Sequence, residues 1–237
     1  MEQNNTISDL QKHDIIGILG GMGPLATADF YNILLSEVGP TIHDNEYPHV
    51  IISSNPKMPS RTRAFLYDEE DPTPYLIKEL NMLKNIGASF VVCPCNSAHY
   101  FLRQIKTPPI NYIDIVSETL EHCKKNKIHN CIVLGGEVTV QSNMYGDSLN
   151  IVKISEEDKK TTRSIIDAVK KGDRFSQCDL GKAFIYKLCR EYIFDAIVLA
   201  CTELSFLDMY TTRVPTIDST RILARAALRE AKIEPRN

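Results

Sequence analysis

The chain has 237 residues, 43% apolar and 24% charged, a balance that excludes fibrous and disordered polymers and suits one large or two small globular domains with a real core. Its 27 Lys and Arg against 30 Asp and Glu leave a net charge of -3, so no broad cationic surface exists for a phosphate backbone and nucleic acid is not an expected partner. No run approaches the roughly 18 apolar residues that span a bilayer, and the opening MEQNNTISDLQKH lacks a charged-then-apolar leader pattern, so a cytoplasmic protein with no membrane partner is expected.

Short apolar runs of strand length alternate with longer segments of helical period, which predicts an α/β layered protein with mainly parallel strands. The first strand, 15–19, runs into Gly20-Gly21-Met22-Gly23-Pro24 and a helix carrying Ala26, Phe30, Ile33 and Leu34. A second strand, 49–53, precedes a Pro-rich loop over 55–63 that is too irregular to be helical. A helix over 75–85 ends at Gly87, and the buried strand 89–93 is broken by Pro94-Cys95-Asn96-Ser97, which starts another helix. Beyond these come a strand at 110–113, a helix to about 125, a strand at 131–134 and a turn at Gly135-Gly136. Helices at 158–171 and 182–192, a strand at 196–200 and a closing helix at 221–232 complete the chain.

A long-period repeat joins the two halves. IIGILGGMG at 15–23 parallels NCIVLGGEVT at 130–139, and ASFVVCPCNSAH at 88–99 parallels FDAIVLACTEL at 194–204. Gly20 precedes Cys95 by 75 residues and Gly135 precedes Cys201 by 66. The expected architecture is two similar α/β lobes related by a pseudo-two-fold, each a mainly parallel sheet flanked by helices, with the active site between them. The first lobe takes 1–113 and 208–237 and carries Cys95; the second takes 114–207 and carries Cys201. Each cysteine then stands at the C-terminal edge of a parallel strand, where open α/β sheets bind ligands.

A thiol works as an acid or base near neutrality when its pKa is lowered, and a helix N-terminus supplies part of that shift. Both cysteines stand at a strand-to-helix junction, followed by Asn96-Ser97 and Thr202-Glu203, which offer capping groups and N–H donors for a carboxylate. One thiolate could remove a proton from a carbon while the opposing thiol delivers one to the other face, inverting a stereocentre. Such a reaction needs no redox cofactor and no metal, and the sequence offers a convincing site for neither, so the expected cofactor is none.

Plainer roles stand beside these. The seven cysteines form an odd set in apolar segments, which reads as reduced thiols, and most of them, Cys93 included, suit core filling. The Gly20–Gly23 turn lacks the G-x-G-x-x-G spacing of a dinucleotide site, and strand 49–53 ends without an acid for a ribose. His99, four residues after Cys95, could pair with it, although a histidine there ordinarily caps or packs against the sheet. Arg61 and Lys170, taken singly, read as surface charges.

GILGGMGPLATADFY, PCNSAH and ACTEL, together with NPKMPSR and VKKG, resemble the signatures of the aspartate/glutamate racemase family, amino-acid racemases that work without pyridoxal phosphate. The resemblance implies that Cys95 and Cys201 are alternating acid and base at Cα. It implies that Arg61 and Lys170 bind substrate carboxylates and that Met22, Asn96, Ser97 and Thr202 line the pocket. Thr139 keeps its family place, and Lys57 stands where many relatives carry Gln, adding a cation that could favour a second carboxylate or fill space. Glu137 and Val138 stand where smaller residues are common and Ala200 replaces the Gly that often precedes the second cysteine, which bears on substrate choice. The expected partner is a small amino-acid substrate, aspartate or glutamate, and the family suggests a homodimer. The competing readings are an isomerase similar to maleate isomerases, with one cysteine adding covalently to the substrate, and a catalytically silent amino-acid-binding protein.

Overall fold

The computed structural model describes residues 14–40, 43–209 and 214–236. Strands β1 (Ile16–Gly20), β2 (Val50–Ser54), β3 (Phe90–Val92) and β4 (Tyr112–Ile113) form one parallel sheet in the order β2-β1-β3-β4. Strands β5 (Asn130–Gly135), β6 (Asn150–Ile151), β7 (Ala196–Ala200) and β8 (Thr216–Asp218) form a second parallel sheet in the order β6-β5-β7-β8. The two orders are the same topology written twice, as the sequence repeat requires. β1 and β7 are buried along their whole length, which is why they read as unbroken apolar runs rather than alternating ones.

Around these lie helices α1 (Pro24–Ser36), α2 (Arg61–Tyr67), α3 (Thr73–Asn85), α4 (Asn96–Leu102), α5 (Ile115–Lys125), α6 (Glu137–Gln141), α7 (Glu156–Lys170), α8 (Arg174–Glu191) and α9 (Ser219–Glu230). Successive strand residues point to opposite faces and so supply different cores. Ile16, Ile18 and Val92 of the first sheet join Val133 and Val198 of the second in a central cluster with Val116, Leu223 and Leu228. Leu19 and Val91 pack outward with Leu76, Leu80 and Phe101, and Ile132, Ile197 and Leu199 pack outward with Ile165 and Ile185. Each lobe thus has its own outer core, and the central one is common to both. The buried Glu37, after α1, is clamped by Arg221 and by Arg225, whose Nε lies 2.5 Å away, and this ties α1 to α9.

Several elements differ from the sequence expectation. The Pro-rich loop gives way to helix at Arg61, because the Ser60 hydroxyl accepts the Arg63 N–H at 3.3 Å and Phe65 packs edge-on against Tyr100. α8 starts at Arg174 rather than 182 and carries Gly181 in its interior, where a Cβ would lie 2.4 Å from Leu207. Close packing on the 3₁₀ segment Thr202–Met209 is what that glycine permits. The turn at Gly135-Gly136 continues into the short α6, which buries Val138 and Thr139.

The closing segment divides between the lobes. β8, placed by the sequence with the first lobe, pairs with β7 in the second sheet, while α9 packs on α1 and α5. The reason is a further echo of the repeat. Tyr-Ile-Asp at 112–114 and Thr-Ile-Asp at 216–218 each end a sheet's fourth strand in an aspartate that caps the next helix. Asp114 accepts the Val116 and Ser117 N–H groups at 2.9 Å, and Asp218 accepts that of Thr220 at 2.9 Å.

Gly21 makes the first turn possible: its φ is +84°, and a Cβ there would lie 2.3 Å from the Asn55 carbonyl. Gly21→Ala is expected to lower unfolding stability by about 2–4 kcal/mol, measured by urea denaturation; a change within about 0.5 kcal/mol would refute this account of the turn.

Candidate active site

The C-terminal ends of β1, β3, β5 and β7 open on one crevice between the lobes, which holds a cavity of about 120 Å³. That is small beside the roughly 300–1,000 Å³ of drug-sized sites, and it suits a molecule of few heavy atoms. The first lobe supplies Met22 from the β1 turn, Ser60, Arg61 and Thr62 from the start of α2, and Pro94 to Ser97 from the end of β3. The second supplies Gly136 after β5, Lys170 from the last turn of α7, and Ala200 to Glu203 after β7. Cys95 and Cys201 therefore face the same space from opposite lobes.

The motif residues also fasten the lobes to each other. The Thr202 hydroxyl donates to the Pro94 carbonyl at 2.7 Å, linking the residue after one cysteine to the residue before the other. Asn96 donates through Nδ2 to Ser219 Oγ at 3.1 Å and accepts from the Tyr145 hydroxyl at 2.6 Å, and Ser219 in turn donates to the Leu199 carbonyl at 2.8 Å. Ser97 Oγ lies 3.3 Å from Thr139 Oγ1 across the crevice. Buried polar groups need partners, and here each lobe satisfies the other's.

Of the residues singled out from sequence, Met22, Arg61, Cys95, Asn96, Ser97, Lys170, Cys201 and Thr202 gather around the cavity. Lys57 does not: it is exposed on the loop before α2, its N–H donating to Asn55 Oδ1 at 3.0 Å. Thr139 is buried behind Ser97 rather than lining the space. Arg61 donates from Nη1 to the Pro59 carbonyl at 2.7 Å, which fixes the guanidinium, and its buried Nε has no partner. Sequence reasoning missed the side chain of Glu203, whose carboxylate accepts the Cys201 thiol at 2.9 Å. Its place two residues after the cysteine was a visible signal.

The thiol electrostatics also differ from expectation. Burial pushes the Cys201 thiol well above its ordinary range, the Glu203 carboxylate pushes it further, and Lys170 pulls it back. Burial likewise raises Cys93, which suits a core thiol. His99 is fully buried and spent on backbone: its Nδ1 lies 2.9 Å from the Cys95 carbonyl, while Nε2 accepts the Ile115 N–H at 3.3 Å. The ring proton therefore sits on Nδ1, and the residue braces Cys95 through the main chain. Among the described residues no group of three or more His, Cys, Asp and Glu could hold a metal ion, and no helix is long and apolar enough to cross a membrane.

A family model described as Asp/Glu/Hydantoin racemase matches residues 19–227. The chain is 28% identical over 223 residues to the broad specificity amino-acid racemase RacX of Bacillus subtilis (strain 168), covering 90% of this chain and 96% of that protein. An aspartate racemase structure from Picrophilus torridus superposes with a TM-score of 0.83 at 27% identity, covering 94% of this chain and 96% of that one. A glutamate racemase from Thermus thermophilus, in complex with beta-chloro-D-alanine, has a TM-score of 0.64 at 14% identity over 95% and 86% of the two chains, a likeness of fold alone.

Burial holds the His99 pKa below its ordinary 6.5, so on acidification the unfolded chain takes up this proton before the folded one does. Its contribution to stability is complete above about pH 6.5 and is lost progressively as the pH falls from there to the lower folded-state pKa. Urea titrations between about pH 7.5 and 5.5 should show stability falling more steeply in the wild type than in His99→Gln, by up to about 1.4 kcal/mol per pH unit; equal slopes would contradict the buried neutral imidazole.

Proposed function

The chain belongs to the Asp/Glu/Hydantoin racemase family, and from that membership we propose that it is a racemase of aspartate or glutamate in which Cys95 and Cys201 alternate as acid and base at Cα. The observation that carries the reading is the approach of both thiols, from equivalent strand ends of a duplicated sheet, to one small cavity. In one direction the Cys95 thiolate takes the α-proton while the Cys201 thiol donates its own to the opposite face. The carbon is inverted, and the proton count of substrate and protein together is unchanged. The reverse direction exchanges the roles.

An α-proton becomes removable when the charge that develops on the carboxylate side is stabilised by preorganised cations or donors. Arg61 of the first lobe and Lys170 of the second border the cavity and serve that purpose, the guanidinium already fixed by the Pro59 carbonyl. Two cations from opposite walls suit a substrate with two carboxylates, which favours aspartate or glutamate over a neutral amino acid. Thr202 and Asn96, both 2% exposed, act chiefly by holding the two thiols at a constant separation. These groups suffice for the proton transfers, so the scheme uses no cofactor. A reducing compartment such as the cytoplasm suits a site built on free thiols. A homodimer is the assembly the family suggests, and exposed Tyr75 and Met82 on α3, with Ile86 just past its end, give it an apolar surface.

In deuterium oxide the wild type should wash deuterium into Cα of aspartate or glutamate, and Cys95→Ala and Cys201→Ala should each lose racemisation by about 10²–10⁴-fold. An undiminished rate in either variant rejects the two-base assignment. Maleate consumed without exchange points to the covalent isomerase, and amino-acid binding without exchange points to a silent binder. Arg61→Gln and Lys170→Gln should each lower kcat/KM for the acidic substrate by about 10–100-fold through loss of a charged hydrogen bond, read from initial rates by polarimetry; unchanged values in both would remove the carboxylate role.

A further inference from the structure

The repeat aligns Cys95-Asn96-Ser97 with Cys201-Thr202-Glu203, so the residue two places after each cysteine occupies the same position in its lobe. The two halves diverge there. Ser97 turns to Thr139, at 3.3 Å, whereas Glu203 places Oε2 2.9 Å from Cys201 Sγ. Glu203 is 7% exposed and borders the cavity, and among the described residues no Lys or Arg forms an ion pair with it. A carboxylate so buried is costly unless something offsets it. Its partner here is a thiol, a weak donor that repays little of that cost. The arrangement makes sense if the contact is a route for a proton.

A two-base racemase must exchange protons between its thiols and water from one turnover to the next. Each turnover leaves the protons on the opposite thiol from the one that held them at the start: Cys201 begins as thiol and ends as thiolate, and Cys95 does the reverse. A second turnover in the same direction requires Cys201 to gain a proton and Cys95 to lose one. We propose that Glu203 is a third catalytic residue, which carries a proton from water in the cavity to Cys201 Sγ between turnovers. The inference rests on the assignment of Cys201 as one of the two bases. The step balances: a carboxylate oxygen of Glu203 takes a proton from water or a buffer acid, Oε2 passes it to the Cys201 thiolate to restore the thiol, and Cys95 releases one proton to water. The reverse sequence reloads the site for the other enantiomer.

The groups facing Cys201 fit that task. Lys170 of α7 and Arg61 of α2 supply positive charge at the cavity, Cys95 of the opposite lobe is the other proton carrier, and Glu203 is the acid in contact with sulfur. A thiolate formed beside the Glu203 carboxylate is disfavoured, in keeping with the upward push on this thiol, so the protonated thiol is the favoured resting state of Cys201.

Glu203→Gln keeps an oxygen to accept the S–H group but cannot carry a proton. Slowing the reset of the free enzyme lowers kcat and KM together, because the reset limits turnover only when substrate is plentiful. The expected result is a kcat about 10–100-fold below wild type, with kcat/KM changed by no more than about threefold. In Glu203→Ala, added formate should enter the vacated space and raise kcat with its concentration, and it should not do so in the wild type. An unchanged kcat in Glu203→Gln, an equal fall in kcat and kcat/KM, or no formate rescue would each overturn the relay. Cys201→Ala measured alongside separates the two levels: if it keeps racemising, the two-thiol reading itself fails, and if it is dead while Glu203→Gln is normal, only the relay fails.

Discussion

The hydrogen bond from Thr202 to the Pro94 carbonyl, 2.7 Å long and buried, joins the chain just after one cysteine to the chain just before the other. It forms only if the ends of β3 and β7 meet in one crevice, and that meeting follows from two parallel sheets whose strand ends face each other. The bonds linking Tyr145, Asn96, Ser219 and the Leu199 carbonyl repeat the constraint a few residues away. A donor or acceptor left unpaired at such depth costs about 1–3 kcal/mol. Polar satisfaction therefore adds to the shared apolar core in fixing the separation of the lobes. Proton transfer depends steeply on distance and orientation, so the rigid pairing of the two thiols is the feature on which the proposed chemistry rests.

The duplication is exact in topology and inexact in chemistry. Each half places a cysteine after its third strand and an aspartate cap after its fourth, because those positions build the sheet edge and begin the next helix. The cations come from opposite ends of helices that are equivalent in the repeat, each the first after its sheet's second strand, Arg61 from the start of α2 and Lys170 from the end of α7. A third charge, Glu203, stands on one side alone, where its lobe-mate is Ser97. Two cations against one carboxylate leave the cavity positive on balance, which favours an anionic guest. In the proposed reaction a substrate accepted in two mirror forms would meet a duplicated backbone frame, with the asymmetric charges placed to orient it within that frame.

The boundaries between loop and helix were the least legible part of the fold. The stretch before α2 holds Pro56 and Pro59 and reads as irregular, yet the Ser60 cap and the packing of Phe65 on Tyr100 turn Arg61 into the first residue of a helix. Gly181 obscured the first half of α8, since glycine ordinarily weakens a helix interior and here it permits close contact with Leu207. The Ile-Asp pairs at 113–114 and 217–218 carried the signal that would have assigned β8 to the second sheet. Lys57 looked equivalent to Arg61 in charge and neighbourhood, and only the path of the chain sends one outward and the other to the cavity.

The buried strands, the glycine turns and the two cysteine motifs were written in the sequence, because each depends on residues near in the chain: apolar runs long enough to cross a sheet, φ values open to glycine, a thiol at a strand end. Tertiary structure alone decided which of these ends meet, which cation enters the crevice and what the thiols touch. Those outcomes depend on contacts between residues as far apart as Pro94 and Thr202, which local patterns do not encode. The push on Cys201 shows the difference: its place before a helical turn suggested an acidic thiol, and burial beside a carboxylate reversed the sign.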